Sequence, residues 1–182
     1  MITPFTLPRQ KFGRWMDDWT DNLMGSTSAP RNYAVSGPGT VTFDVHPQKL
    51  AAAGTSANNG NEVMSPFSGD EVACALLISN IDTASDYNQF GLTMGAMHVY
   101  LGNRVGTYGI FCDNSTSIVG SYDYPWTLNT WYRLRAKKVG AILWIYLNDL
   151  PLFSAPFTGT ATDIGLFIES GTVFYRYLVG SS

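Results

Sequence analysis

Few side chains in this chain of 182 residues could make or break bonds. There are three glutamates, Glu62, Glu71 and Glu169, two histidines, His46 and His98, and two cysteines, Cys74 and Cys112. Glycoside hydrolysis needs two carboxylates facing one scissile bond. Asp70 and Glu71 are adjacent, so on a strand they point to opposite faces. Nucleophilic catalysis needs a base beside Ser or Cys. His98 alternates with Met97 and Val99, and His46 precedes Pro47, so both read as structural or surface imidazoles. Two His and two Cys without paired spacing do not make a zinc site. The loop from Asn80 to Asn88 holds Asp82 and Asp86, oxygen donors of the kind calcium takes. Asp and Asn also favour turns for backbone reasons alone. No cofactor is expected.

Non-covalent chemistry has better material. Tyr122, Asp123, Tyr124 and Trp126 follow Gly120 within seven residues, with Pro125 among them, and Tyr87 follows the Asp-rich loop. Aromatic planes stack on the apolar C–H faces of sugar rings while nearby polar groups orient the hydroxyls, the logic of an apolar site with a few polar anchors. These five residues are the carbohydrate-binding candidates; the competing reading buries the rings in the core. A second aromatic group lies on the run from Ile142 to Asn148. With Leu143, Ile145 and Leu147 facing inward, Trp144 and Tyr146 face outward beside Trp131 and Arg133. An outward aromatic stripe marks an interface or a binding face, unless covering loops bury it.

The elements that position these residues are strands. Four Lys and three Glu leave few polar helix formers, aromatics reach 14%, and charged residues are only 14%, against about 25% in an average soluble protein. Val41, Phe43 and Val45 alternate, and Glu71 to Asn80 is nearly all apolar, as in a strand buried on both faces. Further short runs follow to Val179, separated by Gly and Asn. Gly140, Asn148-Asp149 and Ser170-Gly171 mark hairpin turns. Ten or eleven short strands in one domain predict an all-β, two-sheet antiparallel jelly-roll sandwich over residues 39–182. Residues 1–38 form an N-terminal arm. Within it Trp15, Trp19 and Leu23 recur at four-residue spacing, which suits a short helix over Arg14 to Met24, or an irregular arm whose tryptophans plug a sheet or a neighbouring subunit. Gln48 to Ala53 suits one more helical turn before Gly54.

A net charge of −3 and a pI near 5.2 give no footprint for nucleic acid. Arg133, Arg135 and Lys137 alternate on one predicted strand face and read as a solvated outer surface. No run approaches the roughly 20 apolar residues of a membrane helix, so no membrane insertion is expected. The N-terminus has no basic start followed by an apolar stretch, so no signal peptide is expected either. Cys74 and Cys112 sit in apolar runs and read as small core residues; pairing between them stays open.

Asn129-Thr130-Trp131-Tyr132-Arg133-Leu134-Arg135 leads through Gly140 to Leu143-Trp144-Ile145-Tyr146-Leu147-Asn148-Asp149, then to Asp163-Ile164-Gly165-Leu166-Phe167 and Phe174-Tyr175-Arg176-Tyr177-Leu178. This arrangement resembles the concanavalin A-like lectin/glucanase superfamily, including laminin-G-like modules. The likeness spans about residues 40 to 180 and is strongest from 129 onward. Asn148-Asp149-Leu150 departs from that family's usual Asp-Gly turn. Its hydrolases carry Glu-x-Asp-x-x-Glu along one strand, and none of the three glutamates here lies in that pattern. Free-standing modules of this kind resemble tailed-phage virion proteins. That resemblance implies a non-enzymatic structural or surface protein, a capsid decoration or tail-associated protein assembled in the host cytoplasm. It would contact other virion proteins or itself through Trp15, Trp19, Leu23, Trp144 and Tyr146, and a cell-surface glycan through its aromatic loops. The alternatives are a free carbohydrate-binding lectin module and a glycoside hydrolase of the same fold.

Overall fold

The computed structural model describes residues 15–18, 34–37, 40–44, 49–54, 61–104 and 106–181. Their strands are, in chain order, β1 (Trp15–Asp18), β2 (Ala34–Ser36), β3 (Thr40–Asp44), β4 (Lys49–Gly54), β5 (Asn61–Pro66), β6 (Glu71–Asn80), β7 (Tyr87–Met94) and β8 (Met97–Arg104). They continue with β9 (Thr107–Asp113), β10 (Ile118–Asp123), β11 (Trp131–Val139), β12 (Ile142–Leu147), β13 (Leu150–Pro156), β14 (Asp163–Glu169) and β15 (Gly171–Ser181). All ladders are antiparallel. One sheet runs β13-β12-β11-β6-β15-β4-β3, with β1 also pairing β15; the other runs β10-β9-β8-β7-β14-β5-β2.

The core lies between the sheets. Val72, Cys74, Leu76 and Ile78 of β6 meet Phe90, Leu92 and Met94 of β7, Val99 and Leu101 of β8, and Ile164, Leu166 and Ile168 of β14. Glu71 to Asn80 occupies the middle of its sheet, as its apolar run predicts. Cys74 and Cys112 are free thiols facing this core. Burial pushes both thiols up, Cys112 to about 12, where little reactive thiolate exists.

Two expectations fail in the backbone. Trp15–Asp18, for which the four-residue spacing left a short helix and an irregular arm open, is extended, not helical, and pairs with Tyr177–Gly180; Trp19 and Leu23 lie outside the described residues. Lys49–Gly54, which takes in most of the helical turn expected over Gln48 to Ala53, is a strand that pairs with both β3 and β15. In both places sheet pairing overrides a local periodicity of a few residues, because a helix that short has too few bonds to offset its nucleation cost.

The hairpin between β12 and β13 forms despite lacking glycine. Asn148 and Asp149 both take positive φ, 48° and 70°, the geometry of a two-residue turn matched to strand twist. The Asn148 N–H donates to the Arg133 carbonyl (2.8 Å) and its side-chain oxygen accepts from the Arg133 N–H (2.9 Å). Arg133 also pairs with the Asp149 carboxylate.

Candidate functional site

Alternation leaves a second set of side chains on the outer face of the seven-stranded sheet. Where Phe90, Leu92, Val99 and Leu101 point to the core, Gln89, Gly91, Thr93, His98, Tyr100, Gly102 and Arg104 point away. The register aligns them in rows. One row runs Glu62, Phe167, Gly91, Tyr100, Phe111. The row on one side runs Gly165, Thr93, His98, Asp113; the row on the other runs Glu169, Gln89, Gly102, Gly109. Beyond the last, Tyr87 pairs with Arg104. A Cβ on Gly91 would strike the Val99 carbonyl oxygen, and one on Gly102 would stand 3.3 Å from Tyr100 Cδ2. Glycine there lets the Tyr100 ring lie against the sheet, where it packs on Phe111 at 5.6 Å.

Above these rows is a hollow of about 420 Å³ lined by Gln89, His98, Arg104, Asp113, Ser115, Thr116, Ser117, Phe167 and Glu169. At one end, His98 Nδ1 lies 3.0 Å from Asp113 Oδ1 and Nε2 lies 3.0 Å from Glu62 Oε1. The imidazole stacks on Phe167 at 4.6 Å, with planes 8° apart. Burial alone would lower the pKa of His98. The hydrogen bonds and charges of Asp113 and Glu62 outweigh burial and raise it to about 9. The Asp113 carboxyl is held below its ordinary value: burial opposes this, but the bonds from His98 and the Ser115 N–H prevail. His98 is therefore an imidazolium at neutral pH, with both ring N–H groups donating. The Ser115–Ser117 rim is fixed by Asn114 Oδ1, which accepts from the N–H groups of Thr116 (3.2 Å) and Ser117 (2.9 Å).

At the other end Arg104 Nη1 donates to the Tyr100 hydroxyl (3.2 Å), and its guanidinium lies 5.2 Å from the centre of the Tyr87 ring. Gln89 is 6% exposed and lines the hollow. Its side-chain amide makes no hydrogen bond to another described residue. From His98 to Arg104 the strand covers about 20 Å.

The sequence candidates divide. Tyr87 belongs to this face, and Asp123 pairs with Gly109 at its edge. Trp126 does not: it is 5% exposed, its Nε1 donates to the Gly102 carbonyl (2.9 Å), and it meets Phe90 edge-on at 6.4 Å. Tyr124 packs edge-on against Tyr132 at 6.2 Å. Tyr122 is exposed but pairs with Ile110, a core position, so it stands on the opposite side of the edge strand from the hollow. The three rings of this segment thus form no common platform. Proximity in sequence hid the alternation of β10 and the inward turn after Asp123.

The Asp-rich loop spends its polar atoms internally. Asn88 Oδ1 accepts from the Asp82 N–H (2.8 Å), Asn88 Nδ2 donates to the Asp82 carbonyl (3.0 Å), and Asp82 Oδ1 caps the Ala84 N–H (2.9 Å); Asp86 is exposed. Among the described residues no cluster of three His, Cys, Asp or Glu is arranged to hold a metal. At His98 the ring separates the two carboxylates instead.

On the eight-stranded sheet the aromatic stripe faces outward as expected, with Trp131 37% and Trp144 41% exposed and Tyr146 half-buried. Arg176 lies 4.7 Å from the Trp131 ring centre and Arg135 lies 3.9 Å from that of Tyr146. Glu71 pairs with Arg135 (3.2 Å) and Lys137 (3.6 Å). His98, read from sequence as a structural or surface imidazole, lines one end of the hollow. The signal that finds it is alternation: His98, Tyr100, Gly102 and Arg104 share one face of a strand whose other face carries Met97, Val99 and Leu101.

No protein-family model matches the chain, and no curated protein matches it in sequence. Solved structures do match in shape. The carbohydrate-binding module CBM66 from Bacillus subtilis has a TM-score of 0.59 at 14% identity, covering 82% of this chain and 95% of that one. The Bacillus licheniformis β-glucanase has 0.63 at 6%, covering 91% and 96%. A GlcNAcα1-4Gal-releasing endo-β-galactosidase from Clostridium perfringens has 0.62 at 8%, covering 92% and 62%. The fold is therefore the concanavalin A-like sandwich, which both binding modules and glycosidases use.

Proposed function

We propose that this chain is a glycan-binding β-sandwich whose site is the hollow on the outer face of the seven-stranded sheet. The observation that carries this reading is the row geometry. Gln89, His98, Arg104 and Asp113 are fixed by sheet register into one polar surface beside the half-buried ring of Tyr87 and the His98 imidazole stacked on Phe167. Sites on regular strands hold such groups more precisely than loops do. Sugars need this pairing of polar anchors and apolar planes.

The reading is of binding without hydrolysis. A glycosidase needs one carboxyl group holding a proton for the leaving oxygen and a second acting as base or nucleophile. Here Glu62 and Asp113 flank one imidazolium, and Asp113 is kept ionised. Neither is arranged as the acid of such a pair. The experiment is a glycan array followed by titration calorimetry. Gln89→Leu, which keeps the volume and deletes the amide, should weaken binding at least tenfold. Unchanged affinity would move the site elsewhere.

Placement on a tailed-phage particle belongs to the same proposal. The exposed face with Trp131, Trp144 and Tyr146 supports it, since aromatics interleaved with arginine are the residues enriched where proteins meet. A second copy or another virion protein would cover that face and leave the hollow open to a cell-surface glycan. Co-purification with assembled particles tests it; a monomer found only free in the cytoplasm contradicts it.

A further inference from the structure

We infer that the Arg104 end of the hollow receives the carboxylate of an acidic sugar, so that the glycan bound is a uronic or nonulosonic acid polymer rather than a neutral one. The inference rests on the glycan reading above and adds the class of sugar.

Two independent observations meet at this end. The first is a cation without an anion. Lys138 has Asp70, Arg135 and Lys137 share Glu71, Arg133 has Asp149, His98 has both Asp113 and Glu62, and Arg176, exposed on the other sheet, lies on the Trp131 ring. Arg104 lines the hollow with no carboxylate partner among the described residues; its contacts are the Tyr100 hydroxyl and the Tyr87 ring. Those contacts set the plane of the guanidinium and use one of its five donors. The second observation is Gln89, nine-tenths buried and facing the same hollow, with an amide that bonds to no other described residue. That amide opens onto the hollow, where a ligand's hydroxyls can replace solvent as its donors and acceptors. The two strands bearing them are adjacent, and Gln89 pairs with Gly102, two residues from Arg104.

No carboxylate pairs directly with Arg104 among the described residues. Glu62 and Asp113 both hold His98, and Asp113 also lies within hydrogen-bond reach of the Tyr100 hydroxyl to which Arg104 donates, so the nearest carboxylate is one hydroxyl removed from the guanidinium. Glu169, opposite Gln89, has a partner of its own. A planar guanidinium takes a carboxylate through two parallel hydrogen bonds, which a hydroxymethyl group cannot reproduce. Gln89 can then donate to, and accept from, hydroxyls of the same residue or its neighbour.

The test uses the full chain and matched probes. Oligosaccharides of polygalacturonic acid, hyaluronan and polysialic acid are each compared with their carboxyl-reduced counterparts by calorimetry at low and moderate salt. At least one acid form should bind ten- to a hundredfold tighter than its reduced partner, and the ratio should shrink with added salt. Arg104→Gln should bring that ratio close to one, and Arg104→Lys should restore part of it. Equal binding of acid and reduced forms by the wild type, or a preference that survives Arg104→Gln, overturns the inference while leaving glycan binding standing. No binding of any acid, reduced or arrayed neutral glycan overturns the glycan reading and this inference together. Circular dichroism melting of each variant identifies any loss caused by unfolding; Arg104→Lys is the variant that then decides.

Discussion

The imidazole of His98 lies flat on the ring of Phe167, centroids 4.6 Å apart, although the two residues sit on strands separated by β7. Glu62, one strand beyond Phe167, reaches back to the same imidazole at 3.0 Å, and Asp113 holds it from the other side at 3.0 Å. One protonated ring thus ties together strands β5, β14, β8 and β9 across the outer face of a sheet.

That arrangement predicts a pH dependence. The folded pKa of His98, about 9, lies above its ordinary 6.5, so protonation favours the folded state. The contribution, at most about 3 kcal/mol, is complete below pH 6.5 and is lost as pH rises through 9. The melting temperature should fall between pH 7 and 10, and His98→Gln should flatten that fall. Parallel profiles for the two proteins would show that the ring contributes no such linkage.

Trp126 is predicted to be a stability residue. Burial, an edge-on contact with Phe90 and the bond to the Gly102 carbonyl place Trp126→Ala among large-to-small core changes, which cost about 3–5 kcal/mol. Tyr122→Ala, at an exposed edge position, should cost no more than about 0.5 kcal/mol. Urea unfolding of the two variants checks the contrast. Equal, small losses would return Trp126 to the surface.

Much of the sandwich was legible. Apolar alternation and Gly or Asn punctuation located nearly every strand from Glu71 onward, because each apolar position had to face one core. The helical readings at Arg14 to Met24 and Gln48 to Ala53 failed because segments this short carry little periodicity of their own, and sheet pairing decides them. The hollow was less legible. Its members come from five strands, and only the register sets Gln89 near Arg104 or Glu62 near His98. The Tyr122–Trp126 segment looked like a site because it gathers aromatic rings in sequence, yet alternation sends successive residues of a strand to opposite faces.

The outward face of the eight-stranded sheet gives a third prediction. Trp131 and Trp144 are each more than a third exposed, so the double variant Trp131→Ser, Trp144→Ser should keep stability within about 1 kcal/mol of the wild type. If that face seats a neighbouring copy, sedimentation velocity should show the variant's association weakened at least tenfold. Undiminished association would place the contact elsewhere.

The most direct measurement is a residue-by-residue map of where a glycan lands. Backbone amide spectra of the labelled protein, titrated with an oligosaccharide taken from the array, should show their largest shifts at Gln89, His98, Arg104, Ser115–Ser117, Phe167 and Glu169. Shifts centred on Tyr122 to Trp126, or on Trp131 and Trp144, would contradict the assignment of the hollow as the binding site.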